Sequence, residues 1–276
     1  MKCAWNELLK ILPPGFRSMV DKQGREALQE LRLRAGKQPQ LVFAGDFRWL
    51  DYCVTETDLA YVVNTASKYS PWSAATAAQG YLTAPGGHRI GMCGDAVVVG
   101  GTMSGIRRLT SLCIRVARDF EGVAANLKNL QGNILILGPP GSGKTTLLRD
   151  LIRQISNSGQ GSICVVDERG ELFPSGFDHG NATDVMTGCS KRHGLELALR
   201  TMGPSCIAMD EITASEDCEA LVQALWCGVR LIATAHASCM NDLFSRPVYA
   251  PIRASGFFDT VVVLQKDKSW RTERMV

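Results

Sequence analysis

The stretch that most constrains this chain runs from Asn133 to Leu148: Asn-Ile-Leu-Ile-Leu-Gly138-Pro139-Pro140-Gly141-Ser142-Gly143-Lys144-Thr145-Thr146-Leu-Leu. A short apolar run enters a glycine-rich turn, and apolar residues at helical spacing follow: Leu147, Leu148, Leu151, Ile152 and Ile155. The turn reads G-x-x-x-x-G-K-T, the P-loop pattern, in its required strand–turn–helix setting. Each part has a physical task. Gly138, Gly141 and Gly143 permit backbone angles that a Cβ would block, so that main-chain N–H groups can face phosphate oxygens. The positive end of the following helix dipole adds to that cradle. Lys144 is placed to reach the β- and γ-phosphates and Thr145 to meet Mg²⁺, with Pro139, Pro140, Ser142 and Thr146 completing the ATP-binding loop.

A nucleotide site also needs acids for its metal and its water, and the sequence offers them at strand ends. Ser162-Ile-Cys-Val-Val-Asp167 reads as a second buried strand, running into Glu168-Arg-Gly-Glu171. Carboxylates at the C-terminal end of a strand lie where α/β sheets bind ligands, although a helix cap or surface turn accounts for them equally well. Ser205-Cys-Ile-Ala-Met-Asp210-Glu211 is a further hydrophobic strand with an acidic end. It fits the Walker-B role, in which Asp210 holds Mg²⁺ directly or through water and Glu211 orients or deprotonates the attacking water. Val229-Arg-Leu-Ile-Ala-Thr234-Ala-His236-Ala ends in polar groups on the same edge, and these make Thr234 and His236 candidates to meet the γ-phosphate or the water. Phe257–Leu264 reads as the last strand, and the charged tail 265–276 as frayed. Strands alternating with helices in this way predict an open parallel sheet with helices on both faces.

The first part has a different texture. Trp5, Leu8, Leu9 and Ile11 suggest a helix ended by Pro13-Pro14, with a second over Met19–Gln29. Leu31-Arg-Leu-Arg34 alternates and returns through a turn to Leu41-Val-Phe43, which predicts a hairpin with Arg32 and Arg34 solvated on one face. Thr55-Glu-Thr-Asp58 carries a capping signature ahead of Leu59, Val62 and Val63. Pro85-Gly-Gly87 and Gly94-Asp95 are read as turns between short strands, and Ser111–Arg118 as the closing strand. The expected organisation is an α+β N-terminal domain over 1–118, a linker over 119–132 with a short helix ending across Asn126–Leu130, and an α/β P-loop core over 133–276. Arg89, Arg107, Arg108, Arg115 and Arg118 gather near the boundary. Each reads first as a surface charge, and second as a group whose planar fork reaches the ATP phosphates.

Composition narrows the setting. The 276 residues suffice for two modest domains, and no apolar run approaches the ~20 residues of a membrane span. The ten cysteines are scattered singly with no C-x-x-C pair, which points to reduced thiols in a cytoplasmic protein rather than to zinc or disulfides. The N-terminus does not read as a signal peptide. The net charge of +3 splits into sixteen basic against eleven acidic residues through position 130, and fourteen against sixteen beyond it. Neither half is basic enough to call for nucleic acid.

Taken in order, Gly138–Thr145, Asp167-Glu-Arg-Gly-Glu-Leu172, Leu199–Ile212 and Thr234-Ala-His-Ala237 resemble the secretion ATPase superfamily of type II and type IV systems, with its P-loop, acidic box, Walker B and histidine box. Within it the chain looks closest to the stage III sporulation protein AA family, through Glu30-Leu-Arg-Leu-Arg34, Pro85-Gly-Gly-His-Arg-Ile-Gly91 and Asp184-Val-Met-Thr-Gly-Cys189. The resemblance covers nearly the whole chain. It implies a RecA-like ATPase core and a cytosolic ring, hexameric in the family, that is held at a membrane through partner proteins. It further implies a motor for a channel-like complex of endospore formation. By position, Glu168 and Glu171 match the acidic box and His236 the histidine box, while Arg89, Arg115 and Arg118 lie where N-domain arginines approach phosphate. One departure stands out: transport members usually end the Walker-B strand in Gly-Glu, and this chain has Asp210-Glu211. Two other functions fit the residues: a nucleotide-gated scaffold with little turnover, and a nucleic-acid translocase.

Overall fold

The computed structural model describes residues 3–24, 27–67, 80–127, 129–174 and 176–275. The chain separates into two units, residues 1–119 with 174–177 and residues 120–173 with 178–276.

In the first unit, Leu31 and Leu33 alternate with Arg32 and Arg34, so β1 (Glu30–Arg34) buries one side only. It pairs antiparallel with β2 (Gln40–Val42), which pairs with β3 (Phe47–Trp49). β4 (Tyr81–Thr83), β5 (Arg89–Val99) and β6 (Thr102–Arg115) complete a sheet of order β3-β2-β1-β6-β5-β4. α1 (Trp5–Ile11), α2 (Pro14–Gly24) and α3 (Glu56–Ser67) supply the rest of its core, in which Leu8, Phe16, Leu59, Leu82, Ile90 and Ile114 are fully buried. α3 opens as its sequence predicts. Thr55 Oγ1 accepts from the Asp58 N–H at 3.1 Å, and Asp58 Oδ2 accepts from the Thr55 N–H at 2.9 Å.

Several local expectations need correction. Helix α2 starts at Pro14, not Met19, because a proline suits the first helical position, where no N–H bond is lost. The end of the expected Met19–Gln29 segment includes residues 25 and 26, which lie outside the described residues. Gly94-Asp95 is not a turn. It is a bulge inside one long strand, with register shifts at Cys93/Gly94 and Asp95/Ala96. A Cβ at Gly94 would collide with the Arg108 carbonyl oxygen, so glycine there marks a close backbone approach that sequence alone reads as a turn. Arg32 and Arg34 are engaged as well as solvated: Arg32 pairs with Glu30 at 2.7 Å, and Arg34 donates to Gln40 at 3.0 Å.

In the second unit, β7 (Ile134–Leu137), β8 (Ile163–Asp167), β9 (Thr183–Thr187), β10 (Cys206–Ile212), β11 (Arg230–Ala235), β12 (Thr260–Leu264) and β13 (Trp270–Arg274) form a sheet of order β13-β12-β7-β11-β10-β8-β9. Its pairings are parallel except β12–β13. This is the expected α/β core. β7 and β8 are buried at every residue, as unbroken apolar runs between helical layers require, each large side chain contributing about 1.5–3 kcal/mol. α4 (Lys144–Asn157), α5 (Lys191–Leu197), α6 (Ser215–Trp226), α7 (Met240–Ser245) and α8 (Ala250–Ser255) connect the strands. The tail is not frayed: Thr260↔Arg274 through Leu264↔Trp270 pair it antiparallel to β12. Its charges suit an edge strand, which needs only one buried neighbour. The segment 121–127 is turn rather than helix, and Lys128, within the expected short helix, lies outside the described residues.

Burial pushes the thiols of Cys164, Cys206 and Cys218 up to about 11, 12 and 12, so they act as small apolar groups. Among the described residues no helix is long and apolar enough to cross a membrane.

Candidate active site

The turn between β7 and α4 carries the predicted phosphate loop. Gly141 (φ +74) and Gly143 (φ +99) adopt the left-handed backbone their positions require, and at both a Cβ would meet open space rather than protein. Gly138 is needed for a different reason: its Cβ would stand 2.5 Å from Ser142 Oγ and 3.1 Å from Leu264 Cβ. Gly143 caps α4, so the first N–H groups of that fourteen-residue helix open onto the loop without intrahelical acceptors. Ser142 Oγ is buried in the loop with no hydrogen-bond partner among the described residues. Pro140, Gly141, Lys144, Thr145, Asp210 and His236 line a cavity of about 380 Å³.

The Lys144 ammonium spans this loop. Nζ donates to the Gly138 carbonyl at 2.9 Å and the Pro139 carbonyl at 3.1 Å, and lies 3.1 Å from His236 Nδ1. Burial pulls its pKa below the ordinary lysine value, opposed by the fields of Asp210 and Glu211. An ammonium can only donate, so Nδ1 of His236 accepts and the ring proton sits on Nε2. Nε2 then donates to Glu211 Oε1, 3.1 Å away. Lys144, His236 and Glu211 thus form one chain of contacts.

β10 bends to present its acids. Its register against β11 shifts between Met209 and Ile212, which places Asp210 and Glu211 on a bulge. Glu211 adopts φ +52, a conformation that costs a non-glycine residue roughly 1 kcal/mol or more and persists where the surroundings enforce it. The enforcing group is Thr234. Its hydroxyl accepts from the Glu211 N–H at 2.8 Å and donates to Asp210 Oδ1 at 2.5 Å. The sequence reading aimed Thr234 at phosphate; it is instead fully buried and already bonded to Asp210 and Glu211. The other Asp210 oxygen accepts from Thr145 Oγ1 at 2.7 Å, which joins the two residues expected at the metal.

The acidic segment after β8 divides into two roles. Asp167 is buried and closes its own loop, accepting N–H bonds from Glu171, Leu172 and Phe173 at 2.8–3.2 Å. Burial raises its pKa and those three bonds oppose the rise. Glu168 faces out and is held by Lys191 at 2.8 Å. A cavity of about 20 Å³, enough for one water molecule, lies among Asp167, Glu168, Arg169, Lys191, Asp210 and Glu211.

Two residues escaped the sequence reading. Arg169, inside the acidic segment, stands 3.6 Å from Glu211 Oε2. Lys191, only 7% exposed in its side chain, bridges Glu168 and Asp217, the latter at 3.6 Å. No short motif announces a buried lysine, but Asp217 was visible at the third position of α6. The helix is capped from Ala214, and Asp217 accepts from the N–H groups of Thr213 and Ala214 at 3.0 and 3.2 Å. Replacing Lys191 with methionine removes the cation from the Asp217 carboxylate and leaves it only its N–H donors, so unfolding free energy is expected to fall by about 2–4 kcal/mol. The midpoint of urea unfolding followed by circular dichroism checks this, and an unchanged midpoint would show that the bridge stabilises nothing.

Arg89, Arg115 and Arg118 belong to the first unit, the Lys144 turn to the second. Arg89 and Arg115 are cross-strand neighbours. Arg115 lies 3.5 Å from Glu30, and Arg118 donates to the Leu28 carbonyl at 2.6 Å.

Comparison with known proteins bears on the family and the fold. The family model described as "Sporulation stage III, protein AA" matches residues 4–274. The stage III sporulation protein AA of Bacillus subtilis (strain 168) is 34% identical over 283 residues, 95% of this chain and 92% of that protein. Among solved structures, the Legionella pneumophila ATPase DotB aligns with a TM-score of 0.62 at 17% identity, over 95% of this chain and 80% of its own. The pilus retraction motor PilT, solved with bound ADP, aligns at 0.64 and 17%, over 89% and 76%. At such identity these two speak for a shared fold.

Proposed function

The chain belongs to the stage III sporulation protein AA family, and from that premise we propose that it is an ATP-hydrolysing motor subunit, serving a membrane-associated secretion or channel complex of endospore formation. The observation that carries the reading is the convergence of Lys144, Thr145, Asp210, Glu211 and His236 on one cavity at the end of a parallel sheet.

The residues fit a Mg²⁺–triphosphate. Among the described residues no group of three or more His, Cys, Asp or Glu could enclose a metal by itself. That suits Mg²⁺, which takes one or two protein ligands and shares the rest with phosphate and water. Thr145 and Asp210, joined at 2.7 Å, are the ligands proposed. The metal would supply positive charge at the β- and γ-phosphate oxygens. Gly138 to Thr146 bind the phosphates through main-chain N–H groups and the helix end. Lys144 gives up its contacts to the Gly138 and Pro139 carbonyls and turns to the β- and γ-oxygens. That motion frees His236 Nδ1, so the histidine senses whether the cradle is filled. Glu211, held in its strained conformation by Thr234, is the carboxylate that aligns water and takes its proton. The arginines proposed to neutralise the phosphates, Arg89, Arg115 and Arg118, are carried by the first unit, and self-assembly into a hexameric ring would complete the motor.

Steady-state phosphate release from Mg²⁺ and ATP tests the reading, together with mass measurement in the presence and absence of a non-hydrolysable ATP analogue. Turnover that rises with assembly and is indifferent to added DNA or RNA is the expected result. Tight binding without turnover would leave a nucleotide-gated scaffold, and stimulation by nucleic acid a translocase.

A further inference from the structure

The β5–β6 hairpin outruns the sheet that it belongs to. β1 pairs with β6 only from Ser111 to Arg115, and β4 pairs with β5 only from Arg89 to Gly91. Beyond them, residues 94–99 and 102–109 continue as a two-stranded ribbon, with Ala96 opposite Ile106, Val97 opposite Gly105, Val98 opposite Met103 and Val99 opposite Thr102. Gly100 and Gly101 close its tip in left-handed conformations.

Exposed valines project from both faces of the ribbon, which also carries Thr102 and Ser104. Successive strand residues point to opposite sides, so Val98 lies on one face and Val97 and Val99 on the other. All three are exposed, at 36% for Val97, 61% for Val98 and 66% for Val99. No charged side chain occurs between Asp95 and Arg107. An uncharged, valine-rich ribbon that no other described strand pairs with is a liability in water, where strand edges and apolar patches invite association. Its persistence here calls for an occupant.

The distribution of apolar groups selects that occupant. A protein surface packs against one face of a two-stranded ribbon and leaves the other wet. A lipid layer covers both faces at once. The tip is laddered at Val98–Met103 and Val99–Thr102, and a register shift between Val97 and Val98 interrupts the pairing just below it, so the inward backbone groups are paired at the tip itself. Among the described residues the ribbon's two outer edges stay unpaired, which limits entry to the interfacial zone. Four residues from Ala96 to Val99 extend about 13 Å, enough for the 5–10 Å depth of an interfacial anchor. At the ribbon's base, Arg108 pairs with Glu56 at 3.1 Å and lies opposite Asp95, while Arg107 is exposed at the level where headgroup phosphates would stand.

We propose that the tip of the β5–β6 hairpin docks on a phospholipid bilayer, Val97, Val98 and Val99 entering the interfacial layer with Arg107 at the headgroups. The anchor belongs to the first unit and is independent of nucleotide chemistry, so it stands or falls apart from the ATPase reading. A motor subunit that touches the bilayer through its own chain needs its membrane partners for specificity rather than for attachment.

Co-sedimentation of the full chain with vesicles tests this, using phosphatidylcholine alone and phosphatidylcholine with phosphatidylglycerol as the minor component. The parent protein is expected to pellet with vesicles, more with the anionic mixture. Val98→Asp/Val99→Asp is expected to lose about tenfold in partition, since charge on a lipid-facing strand is excluded with rising depth. Val98→Leu/Val99→Leu is expected to bind as well as the parent or better, which separates loss of lipid contact from loss of fold. Arg107→Glu is expected to abolish the preference for the anionic mixture. A parent that stays in the supernatant with both vesicles overturns the proposal, and so does an aspartate variant that pellets like the parent. Should the aspartate variant instead change the mass of the assembly while the parent ignores lipid, the tip is a contact between copies and the bilayer assignment is wrong.

Discussion

Replacing Lys144 with alanine is expected to weaken ATP binding by about 10²-fold or more and to bring turnover to background. Lys144 is buried and makes its contacts inside the loop, to the Gly138 and Pro139 carbonyls and to His236. Among the described residues it is the one lysine on the cavity wall. A hydrogen bond to a charged partner contributes about 1.5–3 kcal/mol, and a donor aimed at charge that develops in the transition state contributes 10²–10³ in rate. The same deletion leaves two loop carbonyls and the His236 ring without their donor, at a cost of about 1–3 kcal/mol in stability. Thermal unfolding must therefore accompany the binding titration. A folded Lys144→Ala protein that binds ATP within a few-fold of the parent would remove the loop from the phosphate site.

The loop was legible because its physics is local. Three glycines, one lysine and one threonine at fixed offsets determine a turn whose angles and donors depend on little else, and the flanking strand and helix follow from apolar spacing. Asp210 and Glu211 were legible for a similar reason, since a buried parallel strand has to end in the polar edge of its sheet. What governs their behaviour was not. The bulge that turns Glu211 to φ +52 arises from β10 pairing with β11 and from the Thr234 hydroxyl, twenty-three positions away. The sequence offered Thr234 as a polar strand end and could not say whether it faced the cleft or the core. Lys191 presents the same difficulty, because its burial depends on two carboxylates from separate elements, Glu168 after β8 and Asp217 on α6, that meet it. Gly94 misled in the opposite sense: glycine supplies turns and close backbone approaches alike, and only the Arg108 carbonyl across the ladder decides between them. The tail misled because charge was taken for disorder, when an edge strand carries charge readily.

Glu211→Gln is expected to lower turnover by about 10²–10⁴-fold while ATP affinity stays within a few-fold, which would separate water activation from phosphate binding. Glutamine keeps the length and one carbonyl oxygen, so the His236 Nε2 donor, at 3.1 Å from Oε1, retains an acceptor. The backbone bond from Glu211 to Thr234 is untouched. The ion pair lost to Arg169, at 3.6 Å and with the arginine 62% exposed, contributes little in water. Stability should therefore hold, and a fall in turnover reports the missing base. Glu168→Gln supplies the contrast. Its carboxylate is spent on Lys191 at 2.8 Å, so it is a poorer base for the water, and its replacement is expected to reduce turnover by less than the Glu211 change. The two carboxylates border the same one-water cavity, which makes the comparison decisive. If Glu168→Gln cripples turnover and Glu211→Gln does not, the water belongs to the acidic segment after β8, and the strain at Glu211 serves its contact with His236 instead.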